Sequence, residues 1–418
     1  MTDTLYKKVE IPSKYDIIPI HTSDVGNFLY CRRYWNWASP ARSNLRHKVE
    51  FYGIDTNLWF GSGIHYALES YYNPTLKRDP VEAFQTWYQY QWEGGLVTED
   101  WLDRVYDVKP ELYNHGINDG FTEQMYLIKG LRELLPDPRF EEFEELLNLG
   151  IGMMTYYKEW SPKHDFFDVI AAEALYSIPL VKEDGSLLTS IDTREESPNF
   201  GKRLEVHARG KRDSIIYDGE NNQYGLIDYK TASLVNEDYF LKLENDAQVS
   251  NYMWASQQEA KLFDLPYKVM SFCEYQAMWK AYPSGVKVLA DGISPSISRT
   301  DQTADADMFA AYIRDSGLQA WYDNNPKAQA FYEWLIAEGE KRYVNRKRAY
   351  RSQHALETTG RELAMMAEEM LSRPNIYKRP SGDRRCTRCA FRVPCLAMDN
   401  GDDWLTMIND GYERNRDR

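Results

Sequence analysis

The chain has 418 residues, 43% of them hydrophobic and 27% charged, and a formal net charge of −14. That is the composition of a soluble globular protein long enough for two or three domains or one elaborated domain. It excludes a membrane helix, because no run approaches the ~18 apolar residues one needs, and it disfavours non-specific binding of an acidic polymer over the whole surface.

Residues 1–20 read as a loose or strand-like arm without the continuous apolar segment of a secretory signal, so a cytoplasmic location is expected. HTSDVGNFLYCRRYWNWA follows, with Thr22, Ser23 and Asp24 as good N-caps and Val25, Phe28, Leu29 and Tyr30 at helical spacing. GSGIHYALESYY (61–72) predicts a second helix entered through a glycine turn. Residues 80–165 read as helical, with breaks at Pro110 and Pro136. The pattern then turns strand-like over 169–181, 203–218 and 224–232. GENNQ between the last two predicts an antiparallel hairpin. Residues 243–260 return to helix, 267–278 to strand, and 303–372 to helix, ahead of a cysteine-bearing tail. The order predicts an α/β fold, a central mixed β-sheet flanked by helices. It divides the chain into an N-terminal segment (1–75) with the Cys31 and His65 helices, a helical insertion (76–168), a sheet-rich core (169–300), a helical region (301–375) and the cysteine tail (376–418).

YGLIDYKTA (224–232) carries the chemistry. Alternate residues of a strand share a face, so Asp228 and Lys230 stand side by side with Tyr229 opposed. Asp213 is expected to open the other hairpin strand, bringing two carboxylates together at one end of the sheet. Close carboxylates repel and call for a proton or a cation, and hard oxygen ligands suit Mg²⁺ or Mn²⁺. A neighbouring lysine can orient water or stabilise a phosphoryl transition state. Glu173, on the preceding strand, can join through the metal shell or as a base. His65 is a further candidate Mn²⁺ ligand, and Gln248 and Tyr252 share one helical face after the hairpin.

Gly63-x-His65, Glu173, Gly210-x-x-Asp213, Asp228-Tyr229-Lys230-Thr231 and Gln248-x-x-x-Tyr252 occur in the order found in the RecB-type nucleases of the PD-(D/E)XK superfamily, which this chain resembles over roughly 21–72, 170–255 and 380–397. The resemblance implies a restriction-endonuclease-like core in residues 169–300. It also implies that His65, Asp213 and Asp228 hold a divalent metal, that Lys230 is catalytic with Glu173 beside it, and that Gln248 and Tyr252 shape the DNA-binding active site.

Four of the five cysteines form a second constellation. Cys386-x-x-Cys389-x5-Cys395 supplies three soft ligands near the C-terminus and Cys31 is the candidate fourth. Spacing alone leaves zinc and an iron–sulfur cluster open. The resemblance extends to the iron–sulfur nucleases, which include the CRISPR-associated exonuclease family and the nuclease domain of AddB. It implies a [4Fe–4S] cluster on Cys31, Cys386, Cys389 and Cys395 that staples the two ends of the chain. Cys273 reads as a core residue.

Three basic stretches interrupt the acidic chain at 31–48, 341–351 and 378–392. Arg32, Arg33, Arg385 and Arg388, with Arg212 just ahead of Asp213, are the candidate DNA contacts. Tyr34, Trp35 and Trp37 are candidate stacking surfaces or simple packing residues. No G-x-x-x-x-G-K-[ST] loop occurs, so any unwinding partner is expected to be a separate chain. The expected activity is a metal-dependent DNA exonuclease of recombination, repair or replication, in a bacterium or bacteriophage. A structure-specific endonuclease and a non-catalytic DNA-binding module are the alternatives, and a homo-oligomer is compatible with the family.

Overall fold

Alternating side chains build a sheet with two buried faces. Ile215, Leu226 and Cys273 point to one side while their neighbours Ile216, Ile227 and Phe272 point to the other. The computed structural model describes residues 11–48, 54–73, 77–98, 113–117, 125–135, 139–233, 235–244, 246–372 and 384–414. Among them the strands are β1 (Ile17–Ile20), β2 (Leu45–His47), β3 (Gly94–Thr98), β4 (Tyr113–Ile117), β5 (Met125–Lys129), β6 (Asp168–Pro179), β7 (Thr189–Ile191), β8 (Arg203–Asp218), β9 (Gln223–Ala232), β10 (Met270–Trp279), β11 (Val344–Tyr350) and β12 (Tyr412–Arg414).

The central sheet has seven strands in the order β1-β8-β9-β10-β11, with β6 and β7 also pairing β8. It is mixed, as expected: β1 runs parallel to β8 and β9 parallel to β10, while β8 and β9 form the antiparallel hairpin. One face is covered by helices Thr56–Tyr72, Pro80–Glu93 and Phe140–His164 around Trp59, Phe84 and Trp87. The other is covered by Thr22–Tyr30, Ala247–Leu262 and Gln353–Ser372 around Phe28, Met253 and Leu363. The result is a three-layer α/β/α arrangement. Cys273 is buried in the second core. No described helix is long and apolar enough to cross a membrane.

Several expectations need correction. Gly61 and Gly63 lie inside the helix Thr56–Tyr72, whose start is capped by the Asp55 carboxylate accepting from the Asn57 and Leu58 amides. A Cβ at Gly63 would meet Trp87 at 2.6 Å, so the glycine serves close helix packing and not a turn. The segment 80–165 is not wholly helical, because β3, β5 and β4 form a small antiparallel sheet within it. Pro110 and Pro136 lie outside the described residues. Within 303–372, the basic stretch forms β11, the edge strand against β10.

That strand is also not a free positive wall. Arg346 donates to Asp165 at 2.6 Å and to Gln276 at 2.8 Å, and Arg348 to Glu274 at 2.8 Å and Asp218 at 2.9 Å. Arg212 likewise turns inward and is 1% exposed. Its guanidinium donates to Glu259 at 2.7 Å and Ser256 at 3.0 Å, so a DNA contact by Arg212 is overturned by burial. Removing one partner of such a pair strands the other charge in the core. Arg212→Ala should therefore lower the unfolding free energy by about 3–5 kcal/mol in urea titration. A loss below about 1 kcal/mol would show that water reaches Glu259.

Candidate active site

The two edges of β8 explain where the polar residues gather. On one edge β8 pairs with β1 through Glu205–Ala208 and with β9 through Ser214–Asp218. Between them, residues 209–213 have no ladder partner on that edge among the described residues. Asp213 therefore sits at a fork inside the sheet, in the middle of a 16-residue strand and not at its opening. Its side chain takes over the missing pairing: Oδ2 accepts from the Tyr229 amide at 2.6 Å.

Elements from both layers reach this fork. The helix Thr56–Tyr72 brings His65, whose Nδ1 lies 3.3 Å from Asp213 Oδ1 and 3.8 Å from Glu173 Oε1. The Tyr229 ring steadies that imidazole edge-on at 6.3 Å. Glu173 comes from β6 with φ at 50°, a left-handed conformation that few non-glycine residues adopt and that recurs at functional sites. One ligand atom each from His65, Glu173 and Asp213 lies within 4.8 Å of the others. On β9, Lys230 Nζ is 2.8 Å from Asp228 Oδ2 and donates to Oδ1 at 3.0 Å. Helix Ala247–Leu262 completes the set. Gln248 Oε1 accepts from Lys230 at 3.3 Å, and Gln248 Nε2 donates to the Tyr252 hydroxyl at 2.8 Å. Asp246 caps that helix through the Gln248 amide.

Every residue expected at the catalytic centre is thus at the fork, with the three clustered ligand atoms coming from His65, Glu173 and Asp213, while Asp228 faces Lys230. Lys211 was not singled out from sequence, yet its Nζ stands 2.6 Å from Glu173 Oε2. The signal was present: in Gly210-Lys211-Arg212-Asp213, alternation puts Lys211 on the Asp213 side.

The electrostatics favour a bound cation. Burial raises the Glu173 carboxyl to about 8, and burial raises Asp228 to about 6 against the opposing pull of Lys230. Burial would lower His65, but Asp213 and Glu173 outweigh it and raise the imidazole to about 10. Burial works against Asp213 as well, yet His65, Lys230 and the Tyr229 amide hold it below the usual carboxylate range. Burial opposes the Lys230 charge, and Asp228 and Asp213 more than restore it. The residues fit a hard divalent ion: an imidazole and carboxylate oxygens converge, and buried Asp228 Oδ2 has no aligned hydrogen bond.

The cysteines form a second convergence. Burial raises the Cys389 thiol, and the nearby Cys31, Cys395 and Cys386 sulfurs raise it further. Cys389 and Cys395 pack on Trp37, Phe391, Ile408 and Tyr412, and β2 pairs antiparallel with β12 beside them. Cys31, Cys386 and Cys395 thus lie near enough to Cys389 to act on its thiol. Trp35 and Trp37 are buried, and Tyr34 packs edge-on against Phe391, so none of the three is an open stacking surface. Arg32 pairs with Glu369 at 3.4 Å and Arg33 with Asp399 at 2.9 Å. Arg388 is exposed, and the Arg385 side chain lies outside the described residues.

His65 and Glu173 keep their protons to higher pH than they would in water, and a cation binds only the deprotonated ligands. Acid must therefore weaken binding. Apparent Mn²⁺ affinity, followed by calorimetry in two buffers, should rise about tenfold or more per unit between pH 6 and pH 8, with proton release. A flat profile would remove these groups from the ligand set.

A comparison with curated proteins finds no match. The model of the PD-(D/E)XK nuclease superfamily matches residues 22–396, a span that takes in His65, Glu173, Asp213, Asp228, Lys230, Gln248 and Tyr252. With Asp213 and Asp228-Tyr229-Lys230 standing at one fork of a mixed sheet, the chain belongs to the PD-(D/E)XK nuclease superfamily, whose chemistry is metal-dependent hydrolysis of nucleic-acid phosphodiesters.

Proposed function

We propose that this protein is a metal-dependent DNA exonuclease of the RecB type, acting on single-stranded or end-resected DNA in recombination, repair or replication, and carrying a structural [4Fe–4S] cluster on Cys31, Cys386, Cys389 and Cys395. The observation that carries the reading is the ligand trio His65, Glu173 and Asp213 set against the Asp228–Lys230 pair. The exonuclease mode and the cluster rest on the resemblance of the motifs and of the cysteine spacing to the iron–sulfur nucleases.

A Mg²⁺ or Mn²⁺ ion bound there supplies Lewis-acid polarisation of the phosphate and a more acidic water. His65, Glu173 and Asp213 would hold it, with Asp228 adjacent. The Lys230 ammonium stays charged between Asp228 and Asp213 and presents that charge to the phosphodiester as negative charge develops. Gln248 and Tyr252 restrict where the ammonium can go. Exposed Arg388, beside the cysteines, is the arginine best placed to meet backbone phosphates. The cluster would join segments about 350 residues apart and restrict the unfolded chain accordingly. DNA is the partner, with any helicase a separate chain.

The test is cleavage of end-labelled linear single- and double-stranded DNA beside a circular single strand, with Mn²⁺ or Mg²⁺ and anaerobically purified protein. We expect shortening of the linear substrates only, lost by at least ~10³-fold in Asp228→Ala and Lys230→Ala while circular dichroism is unchanged. Cleaved circles would replace the exonuclease with an endonuclease, and tight DNA binding without cleavage under any metal would make the protein a binding module. For the cysteines, the wild type should contain iron and inorganic sulfide and absorb in the visible, and Cys389→Ala should lose both. Zinc without iron in the wild type would exclude the cluster.

A further inference from the structure

We infer that Lys211 is a positioning residue of the metal site, holding the Glu173 carboxylate so that its other oxygen faces His65 and Asp213. The inference deepens the metal-dependent reading and rests on it.

Four observations meet on this residue. Lys211 lies two positions before Asp213 on β8, on the same side of the strand. Its ammonium is 2.6 Å from Glu173 Oε2, while Oε1 of the same carboxylate is the oxygen that looks toward His65 Nδ1 at 3.8 Å. Both partners are well covered, with side chains 13% and 6% exposed. Glu173 itself holds φ at 50° within a strand, a conformation that persists only where its surroundings enforce it.

The neighbourhood makes the need for such a holder plain. Glu173 is repelled by two neighbouring carboxylates, Asp213 and Glu69, and that repulsion pushes it outward unless cations draw it in. Lys230 does not serve here, since its ammonium is engaged by Asp228 and Gln248. The site thus carries two lysines, Lys230 assigned to Asp228 and Lys211 to Glu173. A carboxylate ligand is oriented by whatever binds its second oxygen, and loss of such an outer partner typically weakens metal binding 10- to 100-fold.

Charge alone predicts the opposite sign. Deleting a cation beside a cation site tightens metal binding, whereas deleting a positioning group loosens it. The direction of the change therefore separates a holder of Glu173 from a plain counter-charge.

The experiment is Mn²⁺ titration of the DNA-free protein by electron paramagnetic resonance, with urea unfolding alongside, for wild type, Lys211→Met, Lys211→Arg, Glu173→Gln and the Glu173→Gln/Lys211→Met double variant. Lys211→Met should bind Mn²⁺ at least ~10-fold more weakly at unchanged fold, and Lys211→Arg, which keeps charge and donors, should recover most of the affinity. In the Glu173→Gln background the Lys211→Met change should have no further effect, because the lysine acts through that carboxylate. Equal or tighter binding by Lys211→Met, or an additive loss in the double variant, would overturn the inference while leaving the nuclease reading standing. A wild type that binds no Mn²⁺ would overturn that reading and this inference together.

Discussion

The hydrogen bond from the Tyr229 amide to the Asp213 carboxylate marks the point where β8 and β9 part company, and the site exists because of that parting. A continuous antiparallel ladder would have consumed the backbone groups and closed the sheet over the side chains. With the ladder ending at Ser214 and Ile227, a strand amide is left that must be satisfied, and Asp213 satisfies it. The carboxylate is thereby fixed by the backbone itself. The same opening lets His65 approach from one helical layer and Gln248 from the other, so both sides of the sheet contribute to one centre.

Buried charge is used in two ways in this molecule. Arg212 with Glu259, and Arg346 with Asp165, are pairs in which cation and anion match and further hydrogen bonds complete the shell. They join elements and leave nothing for a ligand. At the fork the balance is different: three carboxylates and an imidazole crowd together, burial and neighbouring charge push Glu173 and His65 to hold their protons to higher pH, and Asp228 Oδ2 lacks an aligned donor. Such a cluster is stabilised by an added divalent charge. The mismatch, and not burial as such, distinguishes the site from the structural pairs.

Segments distant in sequence meet in a second junction. β2 and β12 pair, and Trp37, Phe391 and Tyr412 stack around Cys389 and Cys395. Arg33 contributes to the same junction by donating to the Cys395 sulfur at 3.1 Å while held by Asp399. Residues that look like nucleic-acid contacts by composition are in this way drawn into the protein's own packing.

Local pattern was enough to read the strands 169–181, 203–218, 224–232 and 267–278, the β8–β9 hairpin and the helix Thr22–Tyr30, and the motif order named residues that the fold brings to one fork. Each of these depends on alternation, helical spacing or motif order, which are properties of neighbouring residues. It was not enough for Gly63 of helix Thr56–Tyr72, because what it accommodates is Trp87, a side chain of another helix. Nor did it reveal that the stretch 341–351 is a sheet edge, since its arginines look solvated until Asp165, Glu274 and Asp218 are brought to them from distant segments. Residue type and motif order singled out the groups that suit a metal and a phosphate, because such side chains are few. Which carboxylates face one another, which arginines turn inward and which lysine attends Glu173 is visible only in the folded chain, because those choices are made by the register of β6 and β8 and by packing across the two layers.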